Sequence, residues 1–178
     1  GELEQTLEQS LSELSRIPLL LKMVEVCPIT DLEVEWLLTF LRSAIVTNVS
    51  QLSGSTEILT FQAALALQCF ANEYVYTQTD EDTKILVDLE NTIQKNIADR
   101  TQPAPLVLAC LASYKALYGY SWCHLLALPD DLKQLEKSQI SDVKKETVLR
   151  NEIPMLNEIT DDVSSKVRQQ YEENPYPR

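Results

Sequence analysis

The chain has 178 residues, of which 44% are hydrophobic and 24% charged, with a formal net charge of −12. This length suits one domain with a substantial core, and the acidic balance argues against nucleic acid or an anionic membrane as partner while leaving a protein partner open. Only three glycines occur, Gly1, Gly54 and Gly119, too few for a fold built on tight hairpins or phosphate-cradling loops, so the composition points to an all-α chain.

Leu3, Leu7, Leu11 and Leu14 recur at intervals of four, four and three residues, which makes one apolar helical stripe. Pro18 ends or kinks that helix, and "LLLKMVEV" restarts a short one that stops before Pro28. In "ITDLEVEWLLTFLRSAIVTNV" Thr30 or Asp31 can cap a third helix, with Leu37, Leu38, Leu41 and Ile45 expected on its buried face. "SQLSGST" reads as a loop. From Glu57 to about Thr77 the sequence "EILTFQAALALQCFANEYVYT" is apolar nearly all round, which predicts one long central helix.

Thr79 and Asp82 then stand at capping-box spacing, with Asp80 and Glu81 suited to a positive helix N-terminus. The helix they open is expected to run to about Ala98, with Ile85, Leu86, Leu89, Ile93 and Ile97 turned inward. "DRTQPAP" is a rigid connector, and "LVLACLASYKALYG" predicts a buried helix stopped by Gly119. Shorter helices are expected across "SWCHLLAL", "DDLKQLEK" and "SDVKKETVLRNEI", and a last one from "TDDVSS" to about Glu173. The sum is an irregular all-α bundle of about eight or nine helices with short connections. Repeat-like helical hairpins are a looser form of the same reading, since no fixed-period motif recurs. The expected organisation is a helical bundle domain over 1–159, then a final helix and Pro/Tyr linker over 160–178 that leads to a further C-terminal domain.

Few residues invite chemistry. His124 is the single histidine, and one imidazole cannot build a multi-histidine metal site, so it reads as a packing or surface residue. Cys27, Cys69, Cys110 and Cys123 lack CxxC spacing and no signal peptide is visible, which suggests a reduced cytoplasmic protein with free thiols. Cys69 and Cys110 lie in apolar runs as small hydrophobes. Carboxylate pairs Asp130/Asp131 and Asp161/Asp162 sit where helices begin and suit capping. The apolar run "IPLLLKMVEVCPI" is broken by Lys22 and Glu25, so it does not read as a membrane span. No glycine-rich strand-to-helix turn marks a cofactor cradle. "NPYP" differs in order and setting from the Asn/Asp-Pro-Pro-aromatic loop of adenine methyltransferases.

"QCFANEYVY" is more informative, because Gln68, Asn72 and Glu73 interrupt an apolar helix. Polar groups in a core must be paired or hydrated. They form either an internal network that fixes helix register, with Asn72 and Tyr76 sharing a face, or an interface or small pocket that presents Asn72 and Glu73 to a partner.

Two stretches carry a resemblance. "ITDDVSSKVRQQYEENPYPR" and "LQCFANEYVY" resemble segments of large bacterial proteins that combine tetratricopeptide repeats with a class I S-adenosylmethionine-dependent methyltransferase domain. There, motifs similar to QCFxNEYV and VRxQYEENPYPRW lie in a helical region ahead of the catalytic domain. The chain ends at Arg178, one residue before the expected tryptophan, and the family's cofactor-binding glycines have no counterpart here. The resemblance implies a non-catalytic helical region, binding no cofactor itself, whose parent protein uses S-adenosylmethionine in its C-terminal methyltransferase domain. Its role would be substrate or partner recruitment and domain positioning. The tail then reads as a docking strap. Pro175 and Pro177 restrict the backbone, Arg168 can pair with Glu172, and Tyr171, Asn174, Tyr176 and Arg178 supply contacts to the following domain. The alternative is a free-standing helical adaptor with no enzyme attached.

Overall fold

Two prolines set the pace of the first third of the chain. Helix α1 (Glu2–Ser15) ends where Ile17 takes an extended conformation, φ −103° and ψ 91°, as the residue before a proline tends to. Pro18 then occupies the first turn of α2 (Pro18–Val26), where its missing N–H does no harm. Cys27 is extended again ahead of Pro28. The computed structural model describes residues 2–153 and 161–173, and among them every regular element is helical.

Asp31 caps α3 (Leu32–Thr47), accepting hydrogen bonds from the Glu33 and Val34 amides at 3.1 and 3.0 Å. Gly54, at φ 61°, turns the following loop, and Ser55 caps α4 (Thr56–Ala71). Thr79 and Asp82 form the expected capping box at the head of α5 (Asp80–Ala98), each side chain accepting from the other's backbone amide. The short α6 (Pro105–Ala112) again opens on a proline. Asp161 accepts from the Ser164 amide at 2.8 Å at the head of α9 (Asp162–Glu173). That bond holds its carboxyl below the usual range.

Helix α4 is the hub. Eleven of its 16 residues are buried, and α1, α2, α3, α6 and the short α7 (Lys133–Glu136) all pack on it, as an all-round apolar helix requires. Ala63, Ala64 and Ala66 keep its girth small where neighbours approach. Leu11, Val24, Ile45, Leu86, Leu111 and Leu132 close the core around it. On α5, Leu86, Leu89 and Ile93 are buried, with Ile85 and Ile97 packed at the margin.

Several boundaries differ from the sequence reading. The central helix stops at Ala71, six residues before Thr77, because the backbone turns left-handed at Glu73 and Tyr74. The helix expected to reach Gly119 stops at Ala112, and Leu117–Gly119 is a separate 3-10 turn. "SWCHLLAL" yields only a 3-10 turn at Cys123–Leu125. The two helices expected after it fuse: α7 (Lys133–Glu136), a π-helical turn (Lys137–Ser141) and α8 (Asp142–Glu152) run without a break. Counting that run once, the fold is an all-α bundle of eight helices among the described residues. Leu37 also departs from expectation, since it is exposed on α3 instead of buried. Two compact units emerge, Gly1–Lys145 and Glu146–Arg178. The first holds the core; in the second, α9 exposes Val163, Val167 and Tyr171 at spacings of four.

Candidate functional site

The "NEYVY" stretch is a turn, and its backbone explains why the helix before it ends. The Tyr74 amide donates to Cys69 O at 2.8 Å and the Glu73 amide to Phe70 O at 3.2 Å, which is a Schellman motif. Glu73 and Tyr74 take φ values of 58° and 60°, normally glycine territory, at a cost of about 1–2 kcal/mol each. The Tyr74 ring packs edge-on against Phe70 at 6.4 Å between centroids, adding an aromatic contact at the turn. Asn72 and Glu73 therefore do not present a shared helical face. Glu73 is exposed, while both polar atoms of the Asn72 side chain are buried, as is the Tyr76 hydroxyl. Asn72 and Tyr76, read as neighbours on one helix, approach instead across the turn.

What holds the turn down is Arg42, only 1% exposed and reaching across from α3. Its Nη2 donates to Tyr76 O at 3.1 Å and Thr77 O at 2.7 Å, and its Nη1 to Ser113 O at 3.3 Å. Its guanidinium carbon lies 4.0 Å from the centre of the Tyr114 ring and 5.7 Å from that of Tyr76, both within cation–π range. One buried cation thus joins the end of α4 to the end of α6 through carbonyl oxygens and aromatic faces. Asp82, equally buried, accepts from Ser43 Oγ at 2.7 Å and ties α3 to α5.

Three buried glutamines serve the same purpose. Gln62 donates to Ala109 O and to Ser113 Oγ at 3.2 and 3.1 Å. With its amide nitrogen turned toward the α2–α3 linker, Gln68 donates to Val24 O and Cys27 O, both at 2.8 Å, and accepts from the Ile29 amide at 3.1 Å. Gln139, aimed inward by the π-helical turn, accepts from the Leu117 amide at 3.0 Å and donates to Ala112 O at 3.0 Å and Ala66 O at 3.4 Å. Each carboxamide ties its helix to backbone groups of another element, and Gln68 and Gln139 also satisfy the Ile29 and Leu117 amides.

The electrostatics match a structural role for this interior. Burial pushes the Cys69 thiol up to about 12, with nearby Arg42 only partly opposing it, and burial raises Cys110 as well. Both remain inert thiols at neutral pH. Burial likewise raises the Tyr114 phenol, with Arg42 lowering and Asp82 raising it further. His124 is exposed in its 3-10 turn. Among the described residues no three His, Cys, Asp or Glu side chains converge as a metal site, and no helix is long and apolar enough to cross a membrane.

The surface offers a different feature. On the side of α3 away from Arg42, Leu32, Trp36 and Phe40 are 80%, 69% and 55% exposed. The Trp36 and Phe40 rings stack at 5.9 Å and 11°, and Leu32, Glu33, Trp36 and Leu37 line an open concavity. Sequence reasoning named neither Arg42 nor this stripe. Arg42 was legible in principle, since it falls in phase with Leu38, Leu41 and Ile45 on the buried face. Of the tail candidates, Tyr171 is exposed on α9, and Arg168 lies on the same helix. Asn174, Tyr176 and Arg178 lie outside the described residues, as does the side chain of Glu172. No protein-family model matches the chain, and neither does any curated protein or solved structure.

Proposed function

We propose that this chain is a non-catalytic helical interaction domain that recruits a partner and positions an S-adenosylmethionine-dependent methyltransferase domain of the same polypeptide. The observation that carries the interaction role is the exposed Leu32–Trp36–Phe40 stripe. A folded chain with a full core keeps a stacked Trp–Phe pair in water only at some cost in free energy, and apolar patches of this kind mark binding surfaces. The hydrogen bonds of buried Arg42, Gln68 and Gln139 support the non-catalytic part, because they run to backbone groups of this chain. The methyltransferase connection rests on the two sequence motifs, and the exposed Val163, Val167 and Tyr171 of α9 are what a helix docking onto a following domain requires.

Reading the source gene past the codon for Arg178 tests the connection. Continuation through tryptophan into an apolar strand and a glycine-rich turn supports it. A stop codon leaves the free-standing adaptor. Isothermal titration of the chain with S-adenosylmethionine tests the non-catalytic role, with no heat of binding expected; saturable binding would refute it.

A further inference from the structure

The α3 stripe has a geometry and a charged border that narrow what can occupy it. We propose that the exposed face of α3 is the docking site for an amphipathic helix of a partner protein, apolar along one row and flanked by lysine or arginine. This deepens the interaction-domain reading and rests on it. Leu32, Trp36 and Phe40 stand four residues apart, so they form a single ridge of the kind that packs into the grooves of a second helix. The ridge spans roughly 12 Å along the axis, the reach of about two turns of a partner.

The border decides the sign of the partner's charge. Glu33 lines the concavity itself, Glu35 lies in the same first turn, and the Asp31 cap sits at its head. The one basic residue of α3, Arg42, is buried and bound to carbonyl oxygens on the opposite face. On the preceding helix Lys22 is held by Glu25 at 3.1 Å. A second copy of the chain would bring a second acidic border to the contact and no exposed basic residue of α3 to meet it, on top of a net charge of −12 per copy. An anionic membrane surface meets the same repulsion. A helix whose apolar row is flanked by basic side chains buries Trp36 and Phe40 and satisfies the carboxylates together.

The test uses the full chain and a fluorescein-labelled peptide of about 18 residues, long enough to hold a helix, with leucines along one row and lysines on both flanks. A twin carries glutamates in place of the lysines. Fluorescence anisotropy should show binding of the lysine peptide only, weakened about tenfold or more by Trp36→Ala, as for a buried aromatic anchor. Glu33→Lys with Glu35→Lys should reverse the preference between the twins, and added salt should weaken binding. Equal binding by Trp36→Ala and the unmodified chain would overturn the proposal. So would failure of both peptides, whether or not the chain self-associates in sedimentation; a dimer dispersed by Trp36→Glu would assign the face to a second copy. None of these outcomes touches the S-adenosylmethionine titration, so the two readings fail separately.

Discussion

The two faces of α3 follow opposite rules. Inward, Leu38, Leu41, Arg42, Ile45 and Val46 repeat with helical spacing, and the one charged member of that row is consumed by three carbonyl oxygens and two aromatic rings. Outward, Leu32, Trp36 and Phe40 repeat with equal regularity and find no such closure within their own unit. A polar group sits where water is absent, and apolar groups sit where it is plentiful. Helical period alone therefore says which residues share a face, while the partners across it say what the face is for.

Substitutions can break this contrast at graded cost. Arg42→Ala should be the most damaging, because it leaves Tyr76, Thr77 and Ser113 carbonyls short of a donor and empties the space between two rings. A loss of about 3–5 kcal/mol is expected in urea denaturation, from buried carbonyls left without a donor together with the cavity left by a large side chain. Gln139→Ala should follow at about 1–3 kcal/mol, the cost of stranding the buried Leu117 amide, with the drop visible in thermal melts.

Glu90 offers a pH test at the surface between α5 and the end of α6. Partial burial raises its carboxyl, but hydrogen bonds from Lys115, at 2.8 Å, and from Tyr120 outweigh that and hold it below the usual range. A depressed folded value means that the contribution is present above the ordinary carboxylate range, near 4.3, and is lost as pH falls through the folded value. Glu90→Gln should therefore lower stability modestly at pH 7 and leave it nearly unchanged in strong acid, as paired denaturation curves would show. Trp36→Ala should change stability least, by at most about 1 kcal/mol from the lost stacking on Phe40, despite removing the largest side chain on α3. A melting temperature that fell as far as for Gln139→Ala would mean that the outer face is core after all.

Much of the fold was legible because its signals are local. The Asp31 cap, the Thr79–Asp82 capping box and the inward row of α5 are written in adjacent or periodic residues, and each stands where the sequence puts it. The end of α4 was not. A Schellman turn usually advertises itself with glycine, and here Glu73 and Tyr74 take that conformation inside an apolar stretch that still looks helical. Val75 and Tyr76 extend the apparent stripe, yet Val75 is exposed and Tyr76 is buried by Arg42 from a distant helix. The candidate site divides the same way. Polar residues at Gln68 and Asn72 were visible as anomalies, but Gln68 finds its partners in the α2–α3 linker and Asn72 is buried by the turn that ends the helix. Gln62 and Gln139 reach backbone groups 47 and 22 residues away, which no local pattern announces.

The π-helical turn at Lys137–Ser141 bears on how this chain tolerates a change of length. Such a turn closes i to i+5 bonds and so holds one residue more than the α-helical turn it interrupts. Deleting a single residue there would let the run from Lys133 to Glu152 become a regular α-helix, with no loop to repair. Because the surplus residue is taken up within one widened turn, side chains past the deletion would keep nearly the phase they have now. Gln139 would instead lose the widened turn that aims it at the Leu117 amide. The surplus residue thus sets the position of one buried carboxamide without disturbing the helix that follows.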